Sequence, residues 1–358
     1  MNPTKVAGSS LSGDQCKIAD LASISYDKLL EKNSEEVARL YSACADWGFF
    51  YLDLGGDGAR DYLQRVDDLF AASRTYFSKP LDEKLKDTRD EIDIYNICGY
   101  KPLGPRGLDS GNMSQKSNGS ENLRVPAQLV HHLTSSPKLF FPVGMKAHEA
   151  GFRSFIKDSG ALGRLILENL SDYLHLEGEQ RFERYHEASE PSTSSAVVQH
   201  YPTTGLPADT SVGHFAHTDT GSLTVLFNTE WGLQVFSPAS NEWEYVPPRD
   251  GCAIVNVGDT LRFLSQHRLR SSLHRVVPMV DGWRSGSPSR YACIFFLRAN
   301  DTALFTDAEG VEWTAAKWLS RKFGSYRKPH EEQEKTTVPT GRLGFTGLWN
   351  GPQEISNK

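Results

Sequence analysis

Between residues 194 and 298 the chain breaks into short apolar runs, AVVQHYP, LTVLF, GLQVFS, WEYVPP, CAIVNVGD, SLHRVVP and RYACIFFLR, each bounded by Gly, Pro, Asp or Asn. Runs this short are strands, and their regular succession indicates an antiparallel sandwich or barrel, with the jelly roll as the leading member of that set. Few other architectures accommodate so many brief strands in so little chain.

On either side of this block the period changes to that of a helix. KIADL reads as a short strand, and NSEEVARLYSACAD follows as a helix with Val37, Leu40, Tyr41 and Cys44 on one side. Asn33 is its cap, Glu36 is placed to reach back to it, and Gly48 ends it before the buried strand FFYLDL. A second helix carries Tyr62, Val66, Leu69, Phe70 and Phe77 and stops at Pro80, and a third runs through residues 143–176. Residues 103–124 have the Gly, Ser and Asn content of a loop, either a solvated linker or a lid over a pocket. EWTAAKWLSRKFGSYRK returns to helix, and HEEQEK is a solvated charged stretch. The expected organisation is a disordered leader over 1–13, an N-terminal helical region with flanking strands over 14–190, a catalytic core over 191–300 and a C-terminal helix and tail over 301–358, all integrated in one domain. The fold class is α+β and mainly β.

Composition narrows the function classes. A net charge of -6 argues against a nucleic-acid surface, which needs clustered Lys and Arg, so a small-molecule substrate is the default. The five cysteines, Cys16, Cys44, Cys98, Cys252 and Cys293, are scattered without a C-x-x-C pair and read as reduced thiols of a cytoplasmic protein. The N-terminus has no apolar secretory core and no membrane-length apolar run occurs, so no membrane partner is expected. The sequons at Asn112, Asn118 and Asn169 are then chance.

The chemistry concentrates in GHFAHTDT. If this segment leads into a strand, His217 and Asp219 share a face, and His274 in SSLHRVV offers a third ligand from another strand. Two imidazoles and a carboxylate suit non-heme Fe(II) and leave coordination positions open. His214, three residues before His217, should point the other way on a regular strand and take a structural role. His131, His132, His200 and His267 read as surface or satisfied core histidines.

In order and spacing, QHYP, HTDTGSLTVLF, GLQVFS, WEYVPP, GCAIVNVGDTLRFLS, RSSLHRVV and SRYACIFFLR resemble the Fe(II)/2-oxoglutarate oxygenases of the isopenicillin N synthase-like branch, as do CADWGFFYL and YFSKPLDEKLK upstream. The resemblance spans about residues 17–335. It implies a double-stranded β-helix, or jelly roll, with iron on His217, Asp219 and His274, and Arg290 anchoring the distal carboxylate of 2-oxoglutarate. It further implies that 2-oxoglutarate and O2 are consumed with release of succinate and carbon dioxide, driving hydroxylation, desaturation or ring formation on a small molecule of secondary metabolism.

One position departs from the family. Where Arg-x-Ser is usual, this chain has Arg290, Tyr291 and Ala292, so a hydroxyl donor to the carboxylate is missing. A hydrogen bond to a charged group contributes roughly 1.5 to 3 kcal/mol, so the loss weakens binding about tenfold or more unless another donor substitutes. Tyr201, with Gln199 in place of the family's Asn, is the candidate donor. Two alternatives stay open at this level: an oxidase of the isopenicillin N synthase type that uses no 2-oxoglutarate, and a non-catalytic jelly-roll binder. Phe296 and Arg298 extend the Arg290 face toward the substrate. Tyr100, Arg106, Phe263, Trp318 and Phe323 are further candidates for a substrate wall.

Overall fold

A computed structural model describes residues 16–88, 98–103, 119–131, 140–202, 214–277, 289–326 and most of 328–341. Its strands are β1 (Ser23–Ser25), β2 (Phe49–Asp53), β3 (Gly99–Lys101), β4 (Glu121–Pro126), β5 (Ser195–Pro202), β6 (His214–His217), β7 (Leu223–Asn228), β8 (Leu233–Phe236), β9 (Trp243–Tyr245), β10 (Cys252–Val257), β11 (His274–Val276) and β12 (Ser289–Leu297). They form an eight-stranded sheet in the order β1-β2-β10-β7-β12-β5-β4-β3 and a four-stranded sheet in the order β6-β11-β8-β9. Apart from the parallel pair β1 and β2, every neighbour in the two sheets is antiparallel.

The helices are α1 (Tyr26–Leu30), α2 (Ser34–Asp46), α3 (Arg60–Phe77), α4 (Leu81–Leu85), α5 (Gln128–His131), α6 (Glu149–Tyr173), α7 (Asp259–Leu264) and α8 (Ala315–Ser325). Alternation along the large sheet separates two cores. One face packs Phe50, Leu123, Val198, Phe227 and Phe295 under helical residues such as Val66, Leu69, Phe152, Phe155 and Leu167. The other packs Val197, Tyr201, Leu226, Ala292 and Ile294 against Leu233, Val235 and Val276 of the small sheet. Strands covered on both faces read as unbroken apolar runs, which is why the 194–298 block shows little polar alternation. Full burial of each Leu, Ile or Phe contributes about 1.5 to 3 kcal/mol, and α6 alone buries Phe152, Phe155, Ile156, Leu162, Ile166, Leu167 and Leu170.

Local signals hold with some revisions. Asn33 caps α2 by accepting the Glu36 N–H at 3.0 Å. Glu36 does not reach back to Asn33. Its carboxylate instead accepts the Ser25 N–H at 2.6 Å and pairs with Arg39 at 2.8 Å, because β1 and α1 fold back over the first turn of α2. Gly48 leaves the helix with φ +66, and a Cβ there would lie 2.0 Å from the Arg270 carbonyl oxygen, so only glycine fits. KIADL contributes an isolated bridge from Ile18 to Tyr245, and the strand forms at Ser23–Ser25 instead. The third helix opens with a 3-10 segment, Val143–His148, before α6. Residues 103–124 are not loop throughout, since β4 begins at Glu121, while 104–118, with Arg106, Asn112 and Asn118, lie outside the described residues. Asn169 is buried and donates to the Leu29 and Leu165 carbonyls, so its sequon is not an exposed acceptor.

Candidate active site

His217 closes β6 and stands opposite His274 of β11, which brings the two imidazoles together at a ring distance of 4.3 Å. Asp219 arrives differently from the strand alternation expected of H-x-D. β6 has already ended, and the 218–222 turn is clamped to the start of α7: Asp259 N donates to Asp219 O at 2.8 Å, and Thr260 N to Gly221 O at 3.0 Å. His217, Asp219 and His274 thereby place one ligand atom each within 4.8 Å of one another, the only such group among the described residues.

The remaining atoms of these side chains are already engaged. His217 Nδ1 donates to Phe215 O at 2.7 Å and His274 Nδ1 to Ser272 O at 3.1 Å. A carbonyl can only accept, so both rings carry the proton on Nδ1 and present a bare Nε2. Asp219 Oδ2 accepts from Thr224 Oγ1 at 2.5 Å and Asn256 Nδ2 at 2.8 Å, leaving Oδ1 at 3.7 Å from His217 Nε2 and 3.8 Å from His274 Nε2. Three convergent lone pairs on one side, with their outer atoms tied down, fit a divalent transition metal bound on one face. Burial alone would raise the Asp219 carboxyl, but His274, His217 and Asn256 outweigh it and hold it well below the usual range. Burial, then His217, pushes His274 down to about 4, so its ring is neutral at ordinary pH.

His214 does not point away from His217. Between the β6/β11 pairs His217 with His274 and His214 with Val276, two residues of β6, Phe215 and Ala216, oppose one of β11, Arg275, and this bulge returns His214 to the same side. Its ring lies 4.5 Å from that of His217 in an edge arrangement, and its Nδ1 is buried without a partner among the described residues. It remains outside the ligand group.

Arg290 and Tyr201 are register partners on β12 and β5, with the guanidinium carbon 4.7 Å from the phenol ring centroid. Arg290 is 3% exposed; its Nε donates to Glu230 O at 3.2 Å while Nη1 is buried with no acceptor among the described residues. Burial lowers its pKa, opposed by Tyr201. A buried cation with an open donor is costly unless an anion completes it, which suits a carboxylate ligand. Ala292 faces Gln199 across the strand pair, but the Gln199 amide is turned to Ser120 Oγ at 2.9 Å. Tyr201, pushed up by burial against the pull of Arg290, keeps its phenol protonated beside that guanidinium.

Phe296 and Arg298 occur on the same inward face as Arg290, and Phe296 stands opposite Thr224, the residue that holds Asp219. Tyr100 is a correction. Its register partner Leu123 belongs to the helix-facing core, so Tyr100 lies on the opposite side of the large sheet, where its hydroxyl donates to Glu121. Phe263 and Trp318 close on each other and on Phe305 in a separate aromatic cluster, rather than lining the triad. Phe323 lies 5.9 Å from the Arg298 guanidinium carbon.

Sequence reasoning missed the supports. Asn256 had a signal, a lone amide inside the apolar run CAIVNV. Thr224, and the buried Lys322 that donates to Thr218 Oγ1 at 2.6 Å and pairs with Asp259 beneath the H-x-D turn, had none, because only the tertiary fold brings α8 to that place.

Comparison with known proteins agrees with this geometry. Residues 193–299 match the 2OG-Fe(II) oxygenase superfamily, and residues 17–141 match the family described as non-haem dioxygenase in morphine synthesis N-terminal. A 2-oxoglutarate-dependent dioxygenase of Gibberella zeae is 35% identical over 91% of this chain and 94% of its own length. The 2-oxoglutarate-dependent dioxygenase frbH of a Dothideomycetidae species is 37% identical over 91% of this chain and 96% of its own. Among solved structures, a full-length Neurospora crassa protein in complex with alpha-KG superposes with a TM-score of 0.69 at 20% identity, covering 87% of this chain and all of that one, which shows a common fold. With two family matches, full-length relatives above 30% identity and a His-Asp-His group on a jelly-roll core, the chain belongs to the Fe(II)- and 2-oxoglutarate-dependent dioxygenases.

Proposed function

We propose that His217, Asp219 and His274 hold the iron, that Arg290 with Tyr201 grips the distal carboxylate of 2-oxoglutarate, and that the oxidised substrate is a small molecule of secondary metabolism seated beside Phe296 and Arg298. The observation that carries the metal assignment is that Nε2 of both histidines and Oδ1 of Asp219 converge while every other polar side-chain atom of the three already has a partner. Arg290 Nη1, buried and without an acceptor among the described residues, carries the co-substrate assignment. The description of the N-terminal family, a dioxygenase in morphine synthesis, supports the secondary-metabolite reading, and a structural neighbour with bound thymine is in keeping with a small substrate.

Iron with bound 2-oxoglutarate supplies the oxidising power, using O2 to convert the co-substrate to succinate and carbon dioxide while the substrate is oxidised. The protein's part is positional. Thr224 and Asn256 hold the carboxylate to one-oxygen ligation, and the Phe215 and Ser272 carbonyls hold both rings in one tautomer. Val197, Leu226, Leu233, Val235 and Ile294 make the space between the sheets apolar, which excludes water and strengthens the Arg290 interaction. Tyr201 takes over part of the work of the hydroxyl absent at Ala292.

The test is an anaerobic titration of Fe(II)-loaded protein with 2-oxoglutarate, followed by the visible metal-to-ligand charge-transfer band. A saturable band that is lost in Asp219→Ala and weakened in Arg290→Met is expected. Iron binding without a band would overturn the Arg290 assignment.

A further inference from the structure

We propose that His214 is a further co-substrate-binding residue, donating from its imidazole to the carboxylate of 2-oxoglutarate that lies beside the metal-binding atoms, at the opposite end from Arg290. This rests on the active site assigned above and adds a donor to it.

Two places on the inner face where the co-substrate could find a donor offer none. Ala292 has no hydroxyl, and the Gln199 amide is turned to Ser120 Oγ at 2.9 Å. His214 supplies one from the facing sheet. On a regular strand it would point away from His217, but Phe215 and Ala216 together oppose Arg275 alone, and this bulge turns the ring inward. Bulges interrupt regular pairing, and beside a site they serve to re-aim a side chain. The ring stands 4.5 Å from that of His217, and its Nδ1 is buried with no partner among the described residues. A buried ring nitrogen left unpaired is costly, so this is one more atom that a ligand would complete.

The position of His214 selects the co-substrate over the oxidised substrate. Along β11 the partner of His217 is His274 and the partner of His214 is Val276, two residues further on, about 7 Å along the strand. Gly232 adjoins Val276 and the Arg290 stem: a Cβ there would lie 3.7 Å from Val276 Cγ1 and 3.6 Å from Arg290 Cδ. The row from His274 to Val276 therefore leads from the metal-binding atoms toward Arg290, and His214 flanks it. Asp219 follows His217 in the other direction, where Thr224 holds it and Phe296 stands opposite Thr224. A five-carbon diacid reaching from the metal-binding atoms to Arg290 passes His214, whereas a molecule seated beside Phe296 lies on the far side of the histidine pair. Since its ring adjoins that of His217, His214 serves the near end of the diacid while Arg290 and Tyr201 serve the distal one. An imidazole carries an N–H at Nδ1 in one neutral tautomer and in its charged form alike, so the donor needs no change of charge.

The experiment uses the full chain loaded with Fe(II) under anaerobic conditions, following 2-oxoglutarate by the charge-transfer band and iron by competition with a chelator. His214→Leu should hold iron as the unaltered chain does, yet bind 2-oxoglutarate about 10-fold or more weakly, the effect of one lost hydrogen bond to a charged group. His214→Asn, whose amide nitrogen takes the place of Nδ1, should recover part of that loss. In the double variant with Arg290→Met the two losses should multiply, because each residue holds a different end of the ligand. Unchanged 2-oxoglutarate binding in His214→Leu, loss of iron from it, no recovery in His214→Asn, or losses that do not multiply each overturn the assignment. Absence of the band in the unaltered chain would instead overturn the active site beneath it.

Discussion

Two neighbours on β5, His200 and Tyr201, point to opposite faces of the large sheet and into opposite kinds of buried charge. On the helix side, Glu121 accepts from His200 Nδ1 at 2.8 Å, from Lys84 Nζ at 2.8 Å and from the Tyr100 hydroxyl, and His200 Nε2 meets Ser289 Oγ at 2.9 Å. Burial would raise the Glu121 carboxyl, yet these donors hold it below its usual value. On the inner side, Asp219 Oδ1 stays 3.7 Å from His217 Nε2 and 3.8 Å from His274 Nε2, and Arg290 Nη1 and Arg298 Nε have no acceptor among the described residues. A cluster whose hydrogen bonds close on themselves stabilises the fold. One that leaves convergent atoms open is built for something the protein must take up.

That contrast can be broken by mutation. The largest effect belongs to the ligands: Asp219→Ala should abolish iron retention and the uncoupled conversion of 2-oxoglutarate to succinate, read by metal analysis and succinate release. Glu121→Gln should do the reverse. It leaves Lys84, whose side chain is 9% exposed, without its buried counter-charge, costing about 3 to 5 kcal/mol in chemical denaturation with iron affinity unchanged. If Glu121→Gln lost iron instead, the division into closed and open clusters would fail.

The open side can be sharpened further. Arg290→Met should weaken 2-oxoglutarate binding about 10- to 100-fold, seen in the band titration, since a charged hydrogen bond is at stake. Asn256→Ala frees one Asp219 oxygen and should lower metal affinity by about tenfold, toward the small end for outer-shell partners, with Thr224 still in place.

The most gradual effect is a pH slope from another group whose hydrogen bonds are closed. His186 has both nitrogens occupied, by Phe182 O and Ser222 Oγ, and burial lowers its pKa to about 4 against an unfolded value near 6.5. The unfolded chain therefore binds the proton more readily. Stability from this group is present above about pH 6.5 and lost as pH falls toward 4, by at most about 1.4 kcal/mol per pH unit. Denaturation of the metal-free protein across that window should show the slope, and His186→Gln should flatten it.

Much of the site was legible because its chemistry is written in residue types. His217, Asp219, His274, Arg290 and Tyr201 stand out as polar groups at the ends of apolar runs. The expectations for His214 and Tyr100 failed for physical reasons. A bulge in β6 against β11 restored His214 to the ligand side, and strand register put Tyr100 on the helix side, where Glu121 claimed its hydroxyl. Glu36 found the Ser25 N–H, because a carboxylate goes to whichever donor the fold brings nearest.

The sequence by itself determined the strand-rich core, the helix-capping asparagine and the three residues proposed to hold the iron, since periodicity and side-chain chemistry are local properties. Only the tertiary structure decided how Asp219 joins His217 and His274, which atoms remain open, and that Arg124 and Arg298 meet over Phe296. Those outcomes depend on register, a bulge and a clamped turn, each set by contacts between segments far apart in the chain.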